Sequence, residues 1–196
     1  KTSISKIRAG MFGPGMKGRT DIVATDEGYA ISKSLLLKGY VDDDELVAFP
    51  AADSSGGTHP VIECTQNIPC DPCQDVCPKG CILVGSNITM IPRVDKEKGC
   101  SGCALCVGSC PGQAIFLINE KYEEGYGTVG FPYEFLPLPE KGSQGKALDR
   151  SGSEICDAEI VDVKNNAAMN KTPMVVMKVP SSEVGRARFF KLEGGV

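Results

Sequence analysis

Crowded cysteines are the feature that most limits how this chain can fold. The chain has ten cysteines in 196 residues, and eight of them lie between Cys70 and Cys110. Four follow a regular spacing, in the run Cys100-Ser-Gly-Cys103-Ala-Leu-Cys106-Val-Gly-Ser-Cys110-Pro111. Two-residue gaps let one short loop place three thiolates around a single cluster, and the following turn carries the fourth cysteine away. This spacing predicts an iron–sulfur site, since zinc sites pair two C-x2-C units at a longer separation.

A second, irregular run of cysteines lies upstream. Five cysteines compete there for four positions, in the run Cys64-Thr-Gln-Asn-Ile-Pro-Cys70-Asp-Pro-Cys73-Gln-Asp-Val-Cys77-Pro78-Lys-Gly-Cys81. Aligning the two Cys-Pro pairs gives four matches, which are Cys77 with Cys110, Cys73 with Cys106, Cys70 with Cys103 and, across a wider gap, Cys64 with Cys100. Cys81 then falls opposite Ala114. The internal repeat therefore predicts that Cys81 is a packed small residue and not a ligand.

With both runs, the stretch from Pro60 to Ile118 resembles a two-cluster bacterial ferredoxin domain. The resemblance implies an α+β core with two short helices, small antiparallel strand pairs and two [4Fe-4S] clusters side by side. The residues around the cysteines agree with a strand at 60–63, with an apolar run at 114–118 after the second loop and with a hairpin that joins 82–84 to 88–91 through Gly85-Ser-Asn87.

In that family the cysteine that precedes the proline in each run binds the other cluster. The resemblance therefore implies two crossed ligand sets. The first set is Cys64, Cys70, Cys73 and Cys110, and the second set is Cys77, Cys100, Cys103 and Cys106. A rival assignment remains open, in which one cluster has the self-contained ligands Cys70, Cys73, Cys77 and Cys81.

A narrower resemblance covers residues 57–190. The stretch from Ile62 to Cys73, followed later by a β-rich tail, is similar to the ferredoxin-like small subunits that accompany FAD-dependent dehydrogenases of amino or imino acids in anaerobic bacteria. That resemblance implies a flavoprotein partner and a hetero-oligomeric complex.

The flanking segments predict three units, which are 1–57, 58–118 and 119–196. The first is an extended, Gly-rich arm with a helix at 25–38, suited to packing on a partner. The last is a small antiparallel β module with strands at 131–136, 146–149, 155–163 and 174–179, entered through Gly125, Gly127 and Gly130. Within it Cys156 alternates with apolar neighbours, which favours a packed side chain over a ligand. The expected fold class is thus α+β, with a bacterial-ferredoxin-like core between the arm and the module.

Composition excludes several kinds of protein. The net charge is −4 and is spread nearly evenly along the chain, which argues against a nucleic-acid footprint. No apolar run is long enough to span a bilayer. Thiols that must stay reduced point to the cytoplasm. The single histidine, His59, lies beside the cysteine segment and is expected to be a surface or turn residue rather than a proton site.

The sequence contains no recognisable catalytic set, so we expect no catalytic residues in this chain. The predicted function is electron transfer through two [4Fe-4S] clusters, to or from an FAD or FMN in a partner dehydrogenase subunit. Two alternatives remain, a free soluble ferredoxin that shuttles electrons between enzymes and a structural or assembly role in which the clusters do not turn over.

Overall fold

The computed structural model describes residues 37–42, 57–64, 68–95, 97–169 and 171–193. The Gly-rich arm and the predicted helix at 25–38 lie almost entirely outside the described residues. Two residues at the end of that helix, Leu37 and Lys38, are helical, and Lys38 pairs with Asp42 at 2.7 Å.

Strand is the commonest regular structure in the described residues, which also contain two complete one-turn α-helices. The strands are β1 (His59–Ile62), β2 (Ile82–Leu83), β3 (Arg93–Val94), β4 (Ile115–Glu123), β5 (Tyr126–Pro132), β6 (Gln144–Leu148), β7 (Glu154–Lys164), β8 (Met174–Pro180) and β9 (Phe189–Leu192). The helices are α1 (Pro72–Asp75) and α2 (Leu105–Ser109), and 3-10 turns lie at Ala167–Met169 and Ser181–Glu183.

Seven of these strands form one antiparallel sheet in the order β1-β4-β5-β8-β7-β6-β9. A separate two-stranded sheet pairs β2 with β3. Because β4 pairs with β1 on one side and β5 on the other, the strands that enclose the cysteine segment and the C-terminal strands belong to a single sheet.

The large sheet curls so that its last strand crosses back towards its first ones. The rings of Phe131 in β5 and Phe189 in β9 lie 5.4 Å apart, although three strands separate them in the sheet order. Just before β9, the Arg188 guanidinium lies 5.0 Å from the centre of the Phe116 ring in β4. The curl encloses a core that includes Val129, Ile160 and Met177.

A second core lies on the opposite face, between the sheet and the cysteine segment. Alternate residues of β4 serve the two cores, since Ile115 and Leu117 face the cysteines while Ile118 faces the curled interior. In β8, Met174 likewise faces the cysteines and Val175 faces the curled interior. Burial on both faces explains why these strands are continuous apolar runs rather than alternating ones.

The predicted fold class is wrong. The described chain is mainly a seven-stranded antiparallel sheet with two helices of one turn each, and not an α+β core of bacterial-ferredoxin type with a small β module attached. The sequence pattern predicts each strand separately. In the structure, β4 continues beyond the cysteine segment and pairs with β1 on one side and with β5 of the C-terminal strands on the other, which joins the two predicted units. The division into three units stays a prediction, and its boundary at residue 118 falls inside β4.

Three local predictions also need correction. The partner of β2 is Arg93–Val94 and not 88–91, because Asn87 accepts hydrogen bonds from the backbone and hydroxyl of Thr89 and closes a turn there. Gly127 and Gly130 lie inside β5 rather than before it, and a Cβ at Gly127 would lie 2.5 Å from Val184. The sequence analysis missed β9 altogether.

Candidate iron–sulfur centres

The first cysteine set lines one cavity beside the end of β1. The cavity has a volume of about 150 Å³, and its wall includes all four members of the set, Cys64, Cys70, Cys73 and Cys110. Three different elements place these cysteines. Cys64 follows β1, Cys73 lies in α1 and Cys110 is the C-cap of α2. The apolar side chains on the rest of the wall include those of Ile62, Ile68, Met90 and Ile115.

The second cysteine set is grouped around α2. Burial raises the pKa of the Cys106 thiol, and the neighbouring Cys100, Cys103 and Cys77 raise it further in that order. Cys106 therefore lies close enough to the other three cysteines for their thiolates to repel its own. Cys106 is buried and Cys103 is exposed, so this set extends from the core to the surface.

The two halves of the cysteine repeat fold alike. Cys77 and Cys110 are 33 residues apart, and the backbone around them makes the same hydrogen bonds. The N–H groups of Gly80 and Gln113 donate to the carbonyls of Cys77 and Cys110 at 3.0 and 3.1 Å. The next N–H groups, of Cys81 and Ala114, donate to the sulfurs of the same two cysteines at 3.4 and 3.5 Å.

A left-handed residue makes each of these turns possible. Gly80 has a φ of 59° and Gln113, at the matched place, a φ of 51°. This conformation turns the following N–H back onto the cysteine sulfur. It is strained for a residue with a side chain, and such strain often marks a functional site. Ala104, next to Cys103, is also left-handed, with a φ of 71°.

Close packing holds α2 against the C-terminal part of the chain. A Cβ at Gly108 would lie 2.8 Å from the carbonyl oxygen of Met169, so only glycine allows this approach. Lys164, at the end of β7, donates to the carbonyl of Gly102 at 2.6 Å. The loop that carries Cys100 and Cys103 is thus tied to the sheet.

An acidic residue and two arginines adjoin the first set, and the sequence analysis did not find them. Glu63 lines the cavity and immediately precedes Cys64. Its Oε1 accepts hydrogen bonds from Arg150 Nη2 at 2.5 Å and from Arg188 Nε at 2.8 Å, and its Oε2 accepts one from Arg150 Nε at 3.0 Å. The only signal in the sequence was the position of an acid beside a cysteine, because the arginines lie 87 and 125 residues away.

This ion-pair network is largely buried. The side chains of Arg150 and Arg188 are each 7% exposed and that of Glu63 is 12% exposed. Burial by itself would raise the pKa of Glu63, but the hydrogen bond from Arg150 and the charges of both arginines hold it below its ordinary value. The network is thus a charged carboxylate held between two guanidinium groups.

Two thiols of the first set, those of Cys73 and Cys70, have a pKa above the ordinary value. Burial raises the pKa of Cys73 to about 12, and Cys110, Cys70 and Cys64 add to the rise. Burial also raises the pKa of Cys70, with smaller contributions from Cys110 and Asp71. Enclosed thiolates of this kind become stable when they ligate a metal, which removes the mutual repulsion.

The donor chemistry fits iron–sulfur clusters. Each set offers four soft sulfur ligands, and backbone N–H groups already point at Cys77, Cys110 and, from Gly102 at 3.3 Å, Cys100. A cavity of about 150 Å³ holds a compact group about the size of benzene. No group of three or more His, Cys, Asp or Glu side chains in the described residues is arranged to hold a single metal ion. Ligands of a cluster stand further apart than ligands of one ion, because the cluster itself lies between them.

Cys81 lies against the second set and not the first. It is 1% exposed, and its sulfur is 3.4 Å from that of Cys77. Burial raises the pKa of Cys81 to about 12, with further contributions from Cys77 and Cys100. The rival ligand set therefore combines cysteines from two different places. The assignment of ligands, including the exclusion of Cys81, stays a prediction.

The two remaining candidates lie outside both sets. Cys156 is half-buried in β7 and packs against the curled core. His59 lies in β1, where its Nδ1 is 3.2 Å from the carbonyl oxygen of Gly57. No helix in the described residues has the length and apolarity needed to cross a bilayer.

Comparison with known proteins gives one partial similarity. No protein-family model matches the chain, and no solved structure matches it. The chain is 37% identical over 81 residues to ABC transporter E family member 1 of Arabidopsis thaliana. The match covers 36% of this chain and only 13% of that protein, so the activity and partners of the relative do not carry over. The similarity supports a ferredoxin-like segment at a coarse level, and not the specific dehydrogenase subunit.

Proposed function

We propose that this chain transfers electrons through two [4Fe-4S] clusters, with ligands from the first and second cysteine sets. The observation that carries the proposal is the cavity at the end of β1, whose wall combines Cys110 from the regular run with Cys64, Cys70 and Cys73 from the irregular one. A crossed arrangement of this kind is the one that two-cluster ferredoxins use. The matched N–H···S hydrogen bonds at Cys77 and Cys110 support it independently.

The proposal includes a flavoprotein partner. Oxidation of an organic substrate removes two electrons, whereas an iron–sulfur cluster accepts one at a time, so a group able to split the pair must lie between them. We expect FAD or FMN in a partner subunit, within a cytoplasmic hetero-oligomer. The resemblance over residues 57–190 favours a dehydrogenase of amino or imino acids as that partner.

Electron exchange with the partner is expected at the second set. Cys103 of the second set is exposed. Cys106 of the same set and Cys73 of the first set are both buried. Exposed residues 97–99 and 101 surround the entrance to this loop. A partner that docks here approaches the edge of a cluster without any rearrangement of the sheet.

The test is anaerobic purification of the tagged chain from its source organism, followed by identification of the copurifying subunits and their flavin. Amino and imino acids are then added to the complex, and cluster reduction is followed by EPR, with the complex lacking substrate as the control. Reduction that depends on both the substrate and the flavin subunit supports the proposal. A chain that purifies alone and exchanges electrons equally with unrelated redox proteins supports the free ferredoxin instead. Clusters that no substrate or donor reduces support a structural role.

A further inference from the structure

A lysine side chain fastens the loop between Cys100 and Cys103 to the sheet. Lys164, the last residue of β7, donates from Nζ to the carbonyl oxygen of Gly102 at 2.6 Å. The N–H of the same glycine donates to the sulfur of Cys100 at 3.3 Å. Two consecutive hydrogen bonds through one residue therefore connect an ammonium group to a predicted cluster ligand.

We propose that Lys164 raises the reduction potential of the second cluster, and raises it more than that of the first. The inference rests on the proposed function, because it needs a redox group bound by the second set. Reduction adds one negative charge to that group, and a positive charge nearby stabilises the reduced form. A higher potential keeps the electron on the second cluster, beside the exposed Cys103, where exchange with the partner is expected.

The charge of Lys164 lies close enough to the second set to act on it. The two hydrogen bonds, with the three bonds of Gly102 between them, limit the distance from Lys164 Nζ to Cys100 Sγ to about 10 Å. That limit is comparable to the Debye length of about 10 Å in 0.1 M salt, and the half-buried position of Lys164 reduces screening further. The hydrogen bond from Lys164 ends on an uncharged carbonyl, so it leaves the positive charge in place.

The surroundings of Lys164 distinguish the two sets. It lines a second cavity, of about 320 Å³, together with Gly102 and Asp162. Among the described residues, the wall of the first cavity includes neither Lys164 nor Gly102. The effect of the lysine should therefore be larger at the second cluster.

Asp162 provides a test of sign at the same place. It precedes Lys164 by two residues in β7 and lines the second cavity with it. Its negative charge opposes that of Lys164, but Asp162 is exposed, and solvent screens an exposed charge more than a half-buried one. Removal of this carboxylate should therefore have the opposite effect to removal of the lysine, and a smaller one.

The experiment is an EPR-monitored redox titration of the fully loaded protein. The couple that disappears in Cys77→Ala belongs to the second set. Lys164→Met keeps the length of the side chain but not its charge, and should shift that couple to a lower potential by more than it shifts the other couple. Lys164→Arg keeps the charge and the donor, and should leave both couples near their wild-type potentials.

Two further variants separate charge from structure. Asp162→Asn should shift the second couple to a higher potential, and it decides the sign even if Lys164→Met loses iron. Lys178→Met is the matched control, because it removes a positive charge from the same sheet at a greater distance. Lys178 lies about 13 Å along β8 from Met174, the residue that pairs with Lys164, and it should leave the second couple near its wild-type potential.

A second couple that stays in place in Lys164→Met, or that moves down in both Lys164→Met and Asp162→Asn, would overturn the inference. So would a Lys164→Arg protein that shifts as far as Lys164→Met. If Lys164→Met loses its second couple, the absence of an upward shift in Asp162→Asn is the contrary result. Wild-type protein without two couples would instead contradict the proposed function.

Discussion

Glu63, which follows β1 beside the first cysteine set, is held by two buried arginines. Asp95 follows β3, and its N–H donates to the carbonyl of Cys81 as that of Glu63 donates to the carbonyl of Ala114. Asp95, however, pairs with the half-exposed Lys98. The backbone of the two halves is otherwise closely similar, down to the N–H···S hydrogen bonds. The first set lies in a cavity under the sheet, and the second reaches the surface at Cys103. One repeated loop can thus hold two sites that differ in exposure and in the cations that pair with the neighbouring acid.

The largest expected effect comes from paired substitutions that test which cysteines share a cluster. Cys70→Ala with Cys110→Ala removes two ligands of the first set, so about four irons per chain should remain. Cys70→Ala with Cys77→Ala removes one ligand from each set and should leave almost no iron. Iron and acid-labile sulfide assays on anaerobically purified protein give the result. If the variant with Cys70→Ala and Cys77→Ala instead keeps about four irons, and the variant with Cys70→Ala and Cys110→Ala keeps almost none, the rival ligand set of Cys70, Cys73, Cys77 and Cys81 is right.

The difference in exposure should appear as a difference in the rate of iron loss. In the loaded protein a chelator or mild oxidant should remove iron in two phases, with the second cluster lost several times faster because Cys103 is exposed. The absorbance of the iron–chelator complex measures both rates. In Cys77→Ala, which has only the first cluster, the fast phase should be missing. A single phase in the wild type, or a fast phase that persists in Cys77→Ala, would remove the distinction between the sets.

The two short helices should differ in their tolerance of a side chain. Gly108→Ala forces a Cβ towards the carbonyl oxygen of Met169 and should cost about 1–3 kcal/mol. Asp75, at the matched place of α1, is exposed, and Asp75→Ala should change stability by less than about 0.5 kcal/mol. The melting temperature of the loaded protein is the measurement. Equal melting temperatures for the two variants would show that the contact between α2 and the 3-10 turn is loose.

The smallest expected effect is that of Cys81→Ala. This change gives the first half the residue that stands at the matched place of the second, Ala114, and should leave both clusters in place. Cys64→Ala should instead lose about four irons per chain. Iron content and the EPR spectrum of the reduced protein compare the two variants. Loss of a cluster in Cys81→Ala with retention of both in Cys64→Ala would make Cys81 a ligand.

Several features that depend on local pattern were predictable. The Cys-Pro pairs identified the repeat, and the strands at 155–163 and 174–179 agree with β7 and β8 to within one residue. Asp149 accepts hydrogen bonds from Ser151 and Ser153, as an acid at the start of a tight turn commonly does. Such features depend on residues that are neighbours in the chain.

The parts that depend on distant residues were not predictable. The pairing of β6 with β9 and the curl of the sheet bring together segments with no shared sequence signal, and these determine the fold class. The partners of Glu63 come from a turn and a strand entrance that carry no motif. An arginine in a turn ordinarily points to solvent, and only the curled sheet turns Arg150 and Arg188 inwards.

The measurement that tests the account most directly is the iron and acid-labile sulfide content of the wild-type chain after anaerobic purification. Two complete cysteine sets predict about eight irons and eight sulfides per chain, with no stoichiometric zinc. A content of about four irons would mean that only one set is a cluster site. Bound zinc in place of iron would contradict the electron-transfer function altogether.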